Sequence, residues 1–313
     1  MKSVLSQEQA DQIVALTKQV GEIVRYRLKY EHTDDRKKPD GSWVTSLDDE
    51  VHLLMSDGLK KIAPGIQILS EEDESNHHTF DRTQPFFTLD PIDGTSLMRS
   101  FVDGDETKTG FSILVGLVEE GKPTFGAVHY PAMGEAGTTY FTNARCNALF
   151  EQKGEEKPMG LHALTNLPAG GKKRTIFMGS GEPRELPVGR FRLEATDRNP
   201  NPMLDRMLRL AKGEAYVAHN NYSKSPPGYW DLAPFQAMFK AAGGTLLAFS
   251  AHEQAKAIPA DLKGAEEMGY DGTHDVPEVK SGPYLRKSMA GSLDTRRKLG
   301  WDASLLKELD VRR

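Results

Sequence analysis

Asp90 and Asp93 stand three apart in Phe86-Phe87-Thr88-Leu89-Asp90-Pro91-Ile92-Asp93-Gly94-Thr95, where a short apolar run ends in two carboxylates, a proline and a Gly-Thr pair. A strand over residues 86–89 delivers Asp90 at its C-terminal end, and Pro91 then fixes φ and removes a backbone donor, so the chain must turn. Across that turn both carboxylates can point at one place, where their repulsion is costly unless a cation lies between them. Gly94 lets the backbone approach a ligand closely, and the amides after it can open a helix whose N-terminus accepts an anion. A cation held by carboxylates beside an anion held by amides is the chemistry of a metal-bound phosphate. Taken alone, an Asp-Gly pair is most often a plain turn with Asp90 as a helix cap, so three other stretches decide.

The elements that would have to carry these groups lie elsewhere in the chain. Ile66-Gln67-Ile68-Leu69 reads as a second short strand and ends in Ser70-Glu71-Glu72-Asp73-Glu74. An acidic run is ordinarily a solvated loop, but two strands ending together would set Glu71 beside Asp90. In Tyr229-Trp230-Asp231-Leu232-Ala233-Pro234, Asp231 is followed by Phe235, Met238, Phe239 and Ala242 at helical spacing and then by Gly243-Gly244. That pattern predicts a helix whose buried face anchors a carboxylate at its start. Val44-Thr45-Ser46-Leu47-Asp48 introduces another helix, with Val51, Leu54, Met55, Leu59 and Ile62 on one face. Asp231 and Asp48 are also what ordinary cap residues look like.

Taken together, these stretches resemble the lithium-sensitive, magnesium-dependent phosphatases of the inositol monophosphatase superfamily. There a Glu-Glu pair, an Asp-Pro-Ile/Leu-Asp-Gly-Thr motif and a distant Trp-Asp-x-Ala motif build one site. Here Glu71-Glu72, the Asp90 to Thr95 motif and Trp230-Asp231-Leu232-Ala233 carry the likeness, in the same order. The resemblance implies an α/β (α+β layered) fold, an αβαβα sandwich of the inositol monophosphatase and sugar phosphatase type. It also implies an N-terminal α+β lobe over 1–165 with most metal ligands and a C-terminal α/β lobe over 166–313 that supplies Asp231 and substrate contacts. By the same likeness Glu71, Asp90, Asp93 and Asp231 are ligands of two or three Mg²⁺, with the Ile92 carbonyl as another. Thr95 would hydrogen-bond the nucleophilic water, and Asp48 would orient that hydroxyl and take up the proton. The amides of Gly94, Thr95 and Ser96 would hold phosphate oxygens, Asp231 would also face the substrate, and Lys38 would act from a loop that closes over the metals. No covalent phosphoenzyme is expected.

The substrate wording is mixed. Ile68-Leu69-Ser70-Glu71-Glu72 and Lys38-x-Asp40-Gly41-Ser42-x-Val44-Thr45 look more like the bacterial-type 3′(2′),5′-bisphosphate nucleotidases than the inositol phosphatases. Yet Ser96-Leu97-Met98 stands where the nucleotidases usually carry Lys, Asn201-Pro202 replaces a family Gly-Ser, and Gly213-Glu214-Ala215-Tyr216 departs from Gly-x-Ala-Asp-x-Tyr. The expectation is therefore a phosphomonoesterase acting on a small phosphorylated metabolite, foremost 3′-phosphoadenosine 5′-phosphate. Inositol 1-phosphate or another sugar phosphate is the alternative, and a non-catalytic phospholigand-binding relative is the alternative of another class.

The remainder of the chain sets bounds. Its 313 residues suffice for one large α/β domain or two closely packed lobes. With 38% hydrophobic and 27% charged residues, the composition is that of a soluble globular protein. A net charge of −5 gives no basic footprint, so no nucleic acid polymer is expected as partner. Cys146 stands alone, which excludes an internal disulfide and a cysteine zinc cluster. Residues 1–11 are polar where a signal peptide is apolar, and the apolar-rich run 111–118 is too short to span a bilayer, so no membrane and a cytoplasmic location are expected. A homodimer is compatible with the sequence.

Ser6-Gln7-Glu8-Gln9 reads as a capping box before a long helix with Ala10, Ile13, Val14, Leu16, Val20, Ile23 and Val24 on one face. Residues 31–42 read as a charged loop, 111–118, 124–130 and 138–141 read as strands, and 151–171 reads as a polar connection. Beyond it come strands at 175–178, 215–218 and 245–249, a helix around 203–210, a polar insertion over 251–283 and a closing helix after Asp294. His77-His78 lacks Cys/His partners for a zinc site, Asp103-Gly104-Asp105-Glu106 lacks the later glutamate of a calcium loop, and Ser180 lacks a nucleophile-elbow pattern. Asp271-Gly272-Thr273 has no apolar strand before it and reads as a turn.

Overall fold

The computed structural model describes residues 4–30, 35–37, 43–77, 79–161, 174–178, 187–188, 191–195, 215–219, 228–242, 245–248, 266–267, 269–271 and 288–291. Lys38, the helix expected around 203–210, most of 251–283, and the closing helix lie outside these residues, as does the division expected at residue 165.

Helix α1, Gln7–Tyr30, starts where the sequence places it. The Gln9 amide donates to Ser6 Oγ at 3.1 Å and the Ser6 amide to Gln9 Oε1 at 3.0 Å, which satisfies two donors that a helix start leaves open. Strands β1, Asp35–Lys37, and β2, Trp43–Thr45, form a small antiparallel pair ahead of helix α2, Ser46–Ile62. A seven-stranded sheet then follows in the order β3-β4-β5-β6-β7-β8-β9. Its strands are β3, Gln67–Ser70; β4, Phe86–Asp93; β5, Ser112–Glu119; β6, Lys122–Tyr130; β7, Thr138–Thr142; β8, Leu149–Lys153; and β9, Met159–Leu161. Only β3 and β4 pair parallel; the others are antiparallel. The stretch 151–171, expected as a polar connection, thus contributes parts of two further strands at the sheet edge. Helix α3, Thr95–Val102, leaves the end of β4.

A second sheet has the order β11-β12-β10-β13-β16-β14-β15, from β10, Arg174–Met178; β11, Pro187–Val188; β12, Phe191–Ala195; β13, Ala215–His219; β14, Thr245–Ala248; β15, Glu266–Glu267; and β16, Ser288–Gly291. Between β13 and β14 runs helix α4, Tyr229–Ala241. The described layers are therefore helices α1 and α2, the first sheet, α4 and the second sheet, an α/β layered sandwich.

Both faces of the first sheet are buried, which explains why its central strands read as near-continuous apolar runs. Phe87, Leu89, Ile113, Val115 and Phe125 pack against Ile13, Val20, Val51, Met55 and Leu59 of α1 and α2. Phe86, Leu114, Val128 and Tyr130 pack against Tyr229, Trp230, Phe235 and Phe239 of α4. Side chains alternate along a strand, so Asp90, in phase with Phe86, is delivered to the α4 side. The 251–283 stretch is not polar throughout: Tyr270 is fully buried, its hydroxyl donates to Gln236 Oε1 at 2.9 Å, and its amide donates to the Gly121 carbonyl at 2.9 Å.

Two glycines make the approach of α4 possible. Gly116 and Gly126 face one another across β5 and β6. A methyl group on Gly116 would stand 3.1 Å from the Pro234 nitrogen, and one on Gly126 would stand 2.4 Å from the Pro234 carbonyl oxygen. A glycine inside a strand pattern marks this kind of close backbone approach. Gly126→Ala is expected to cost about 1–3 kcal/mol in denaturant unfolding, because the obstacle is backbone that cannot swing aside.

On the other face Gly21 of α1 seats the ring of His129, where a methyl group would fall 2.2 Å from ring atoms. His129 is 2% exposed, and burial, then the charges of Lys18 and Arg25, lower its pKa to about 3. Below an ordinary histidine pKa of about 6.5 the unfolded chain takes up a proton that the folded chain refuses, so acid destabilises the fold. Relative to His129→Gln, the protein is expected to lose about 1.4 kcal/mol per pH unit as pH falls from 6.5 towards 3, read from urea unfolding at several pH values.

Candidate active site

Asp90 and Asp93 would point to opposite faces of a regular strand. The expected turn at Pro91 is instead a continuation of β4 to Asp93, with its pairing to β5 broken between the two aspartates. Pro91, which has no donor to give the ladder, sits in that irregularity. One residue is taken up there, so Ile92 turns to the α1/α2 side with Phe87 and Leu89, and Asp93 comes back towards the side of Asp90. The charge of Asp93 accordingly raises the pKa of both Asp90 and Asp231. The turn itself falls at Gly94, whose φ of 82° is one that glycine adopts at no steric cost.

Glu71 is brought in by the parallel pairing of β3 and β4, in which Ser70 lies opposite Leu89 and the Glu71 amide donates to the Leu89 carbonyl at 3.0 Å. Asp231 arrives from the third position of α4, where its Oδ2 accepts from the Gly228 amide at 2.7 Å. Gly228 is therefore the N-cap, and Asp231, which the sequence also allowed in that role, instead reaches back from the third position to the N-cap amide. Glu71, Asp90 and Asp231 each offer an oxygen such that all lie within 4.8 Å of one another. Two oxygens on one Mg²⁺ stand about 3 to 4.2 Å apart, a spacing that falls within this bound. Asp93 lies outside that 4.8 Å set but close enough for its charge to be felt.

The electrostatics call for a cation. Asp90 is 2% exposed, and its Oδ1 has no hydrogen-bond donor. Burial first, then Glu71, Asp93 and Asp231, push its carboxyl well above the usual range. Burial, then Glu71 and Asp93, do the same to Asp231, against the pull of the Gly228 amide and a hydrogen bond with Asp90. Converging carboxylates with an orphaned buried oxygen among them are the donor set of a hard divalent cation. Glu71, Asp90, Asp93 and Asp231 could hold it, and the Ile92 carbonyl lies on the same bulge.

Asp48 sits at the third position of α2, behind Thr45. Its Oδ2 accepts from the Thr45 amide at 2.8 Å and the Thr45 hydroxyl at 2.6 Å. Its Oδ1 faces the Thr95 hydroxyl at 3.2 Å, and that hydroxyl also lies 3.1 Å from the Ile92 carbonyl. One oxygen caps the helix while the other reaches into the site. Burial raises the pKa of Asp48, offset by hydrogen bonds from Thr45 and Thr95, and the Glu71 charge raises it further. Gly94, Thr95 and Ser96 open α3, where the first amides of a helix lack intrahelical acceptors.

His77 escaped sequence reasoning as anything but a failed zinc ligand, yet it is buried against this site and stacks on Trp230. No periodicity or motif marks it. Gly116 and Gly126, by contrast, could have been noticed as glycines interrupting Val/Leu-rich strands.

The chain is similar to known proteins over most of its length. The model of the inositol monophosphatase family matches residues 6–270. A 3′(2′),5′-bisphosphate nucleotidase CysQ of Shigella flexneri is 32% identical over 240 residues, covering 74% of this chain and 87% of that protein. Among solved structures, an IMPase of Thermotoga maritima superposes with a TM-score of 0.60 at 18% identity over 97% of both chains. The CysQ of Bacteroides thetaiotaomicron superposes with a TM-score of 0.56 at 17% identity, over 92% of this chain and 97% of its own.

Proposed function

Since this chain belongs to the inositol monophosphatase family and is thereby a phosphatase, we propose that it hydrolyses a nucleoside 3′(2′),5′-bisphosphate, with 3′-phosphoadenosine 5′-phosphate converted to AMP. The observation that carries the chemistry is the convergence of Glu71, Asp90 and Asp231 beside the Thr95–Asp48 hydrogen bond. The observation that supports the substrate is the 32% identity to a bisphosphate nucleotidase.

Glu71, Asp90, Asp93, Asp231 and the Ile92 carbonyl are the proposed ligands. Two or three Mg²⁺ there would supply charge neutralisation and a more acidic attacking water. Thr95 accepts a hydrogen bond from that water and donates its own proton towards Asp48 Oδ1. Asp48, fixed by both Thr45 donors, has the raised pKa that a proton acceptor needs. The amides of Gly94, Thr95 and Ser96 orient the phosphate oxygens, and the phosphoryl group passes directly to water. Lys38 is proposed to reach the substrate from its loop.

Ser96 replaces the lysine usual in the nucleotidases, which keeps inositol 1-phosphate or another sugar phosphate as the second reading. Phosphate release from 3′-phosphoadenosine 5′-phosphate, inositol 1-phosphate and fructose bisphosphate, each with and without Mg²⁺ and Li⁺, tests both. The expected result is Mg²⁺-dependent, Li⁺-inhibited release, fastest from the nucleotide. Faster release from a sugar phosphate overturns the substrate assignment, and ligand binding without release from any of the three overturns the catalytic reading.

A further inference from the structure

Glu71 and Asp231, two of the groups proposed to hold the cation, come from elements far apart in the chain, and one imidazole touches the residue ahead of each. His77 is 3% exposed. Its Nε2 lies 2.7 Å from the Ser70 carbonyl oxygen, which can only accept, so Nε2 carries the proton and donates. The Ser70 carbonyl belongs to the same peptide unit as the Glu71 amide, and that amide donates to the Leu89 carbonyl at 3.0 Å. The peptide plane carrying Glu71 is therefore held at both ends, by His77 on one side and by the strand of Asp90 on the other. On its face the His77 ring stacks on Trp230, the residue before Asp231, with ring centres 4.8 Å apart and planes 27° apart. Ser70 is clasped a second time through its hydroxyl, 2.8 Å from Nδ1 of His52 on α2, the helix that carries Asp48.

We propose that His77 is a positioning residue for the cation site, setting the Glu71 carboxylate against Asp231 by holding Ser70 and Trp230 at once. This rests on the reading of Glu71, Asp90 and Asp231 as cation ligands. A carboxylate that must meet an ion within a few tenths of an ångström depends on what orients its backbone, and partners beyond the ligands typically matter tenfold to a hundredfold in metal affinity. The imidazole is suited to the task because it offers a donor on its edge and an aromatic face for the indole at the same time.

Mn²⁺ binding to the metal-free protein, followed by titration calorimetry, reads this without relying on activity. His77→Ala is expected to weaken Mn²⁺ binding roughly tenfold or more. His77→Phe, which keeps the ring and loses the donor, and His77→Gln, which keeps a donor and loses the ring, are expected to fall between alanine and the unaltered protein. They also stand in should the alanine variant fail to fold. Gly58→Ala, at the α1–α2 contact where a methyl group would meet Leu16, serves as a destabilised variant remote from the cluster, and its Mn²⁺ affinity is expected to stay within twofold of the unaltered protein. A purely structural histidine would lower the melting temperature and leave Mn²⁺ affinity within twofold in all three His77 variants, which overturns the proposal. An unaltered protein that binds no Mn²⁺ overturns the cation reading instead.

Discussion

Asp90→Asn is expected to abolish phosphate release while making the metal-free protein more stable. The two effects have one cause. Asp90 is buried, carries an oxygen with no donor, and feels the charges of Glu71, Asp93, Asp231 and Glu72. Without a cation that arrangement costs free energy; with one it provides the charge that the reaction uses. Loss of the ligand should remove several kcal/mol of transition-state stabilisation, on the order of a thousandfold in rate. An asparagine of the same shape relieves the repulsion, about 1 kcal/mol or more, seen as a melting temperature raised by a few degrees in the presence of a chelator. The pH dependence follows with its sign. The folded carboxyl keeps its proton to higher pH than the unfolded one, so its contribution to stability is complete below the ordinary aspartate pKa and is lost as pH rises through the raised folded value. Metal-free protein should therefore weaken on that rise more than Asp90→Asn does. Asp93→Asn should act in the same direction, removing most activity while leaving the fold intact. Near-normal activity of either variant with millimolar Mg²⁺ would count against the site.

Thr95→Ala and Asp48→Asn are expected to lower kcat by roughly 10²–10⁴ and to leave Mn²⁺ affinity close to that of the unaltered protein, because neither side chain is proposed to touch the cation. The hydroxyl and the carboxylate form one relay at 3.2 Å, so the double variant should cost little more than either single one. Steady-state rates at saturating Mg²⁺, paired with Mn²⁺ titration, check this. Losses that multiply in the double variant would show that the two residues act separately. Asp48→Asn can retain an acceptor for the Thr45 donors, so a large drop in melting temperature would point to its capping role instead.

How much of this could be read beforehand follows from the kinds of force involved. Helices α1 and α2 and strands β3 to β7 announce themselves by apolar pattern, whereas the short β1 and β2 do not, and Ser6 and Gln9 pair as a capping box. Two strands that end together set Glu71 beside Asp90, and the parallel register of β3 and β4 does that. The bulge after Asp90 is not legible in the sequence, because a proline with a glycine three residues on signals a turn as readily as a strand that takes up one residue. Strands β8 and β9 and the buried Tyr270 escape local pattern for a related reason. Residues 159–161, 266–267 and Tyr270 have mostly polar neighbours in sequence, and their pairing is decided by residues elsewhere in the chain rather than by local pattern. The Gly116–Gly126 seat and the His77 clasp are contacts between elements far apart in the chain, which local pattern does not encode.

The most direct measurement is an anomalous-difference map from crystals soaked in Mn²⁺. A peak is expected about 2.0–2.2 Å from carboxylate oxygens of Glu71, Asp90 and Asp231, on the α4 side of the first sheet. A fully occupied manganese elsewhere, with these three carboxylates left unliganded at neutral pH, would contradict it.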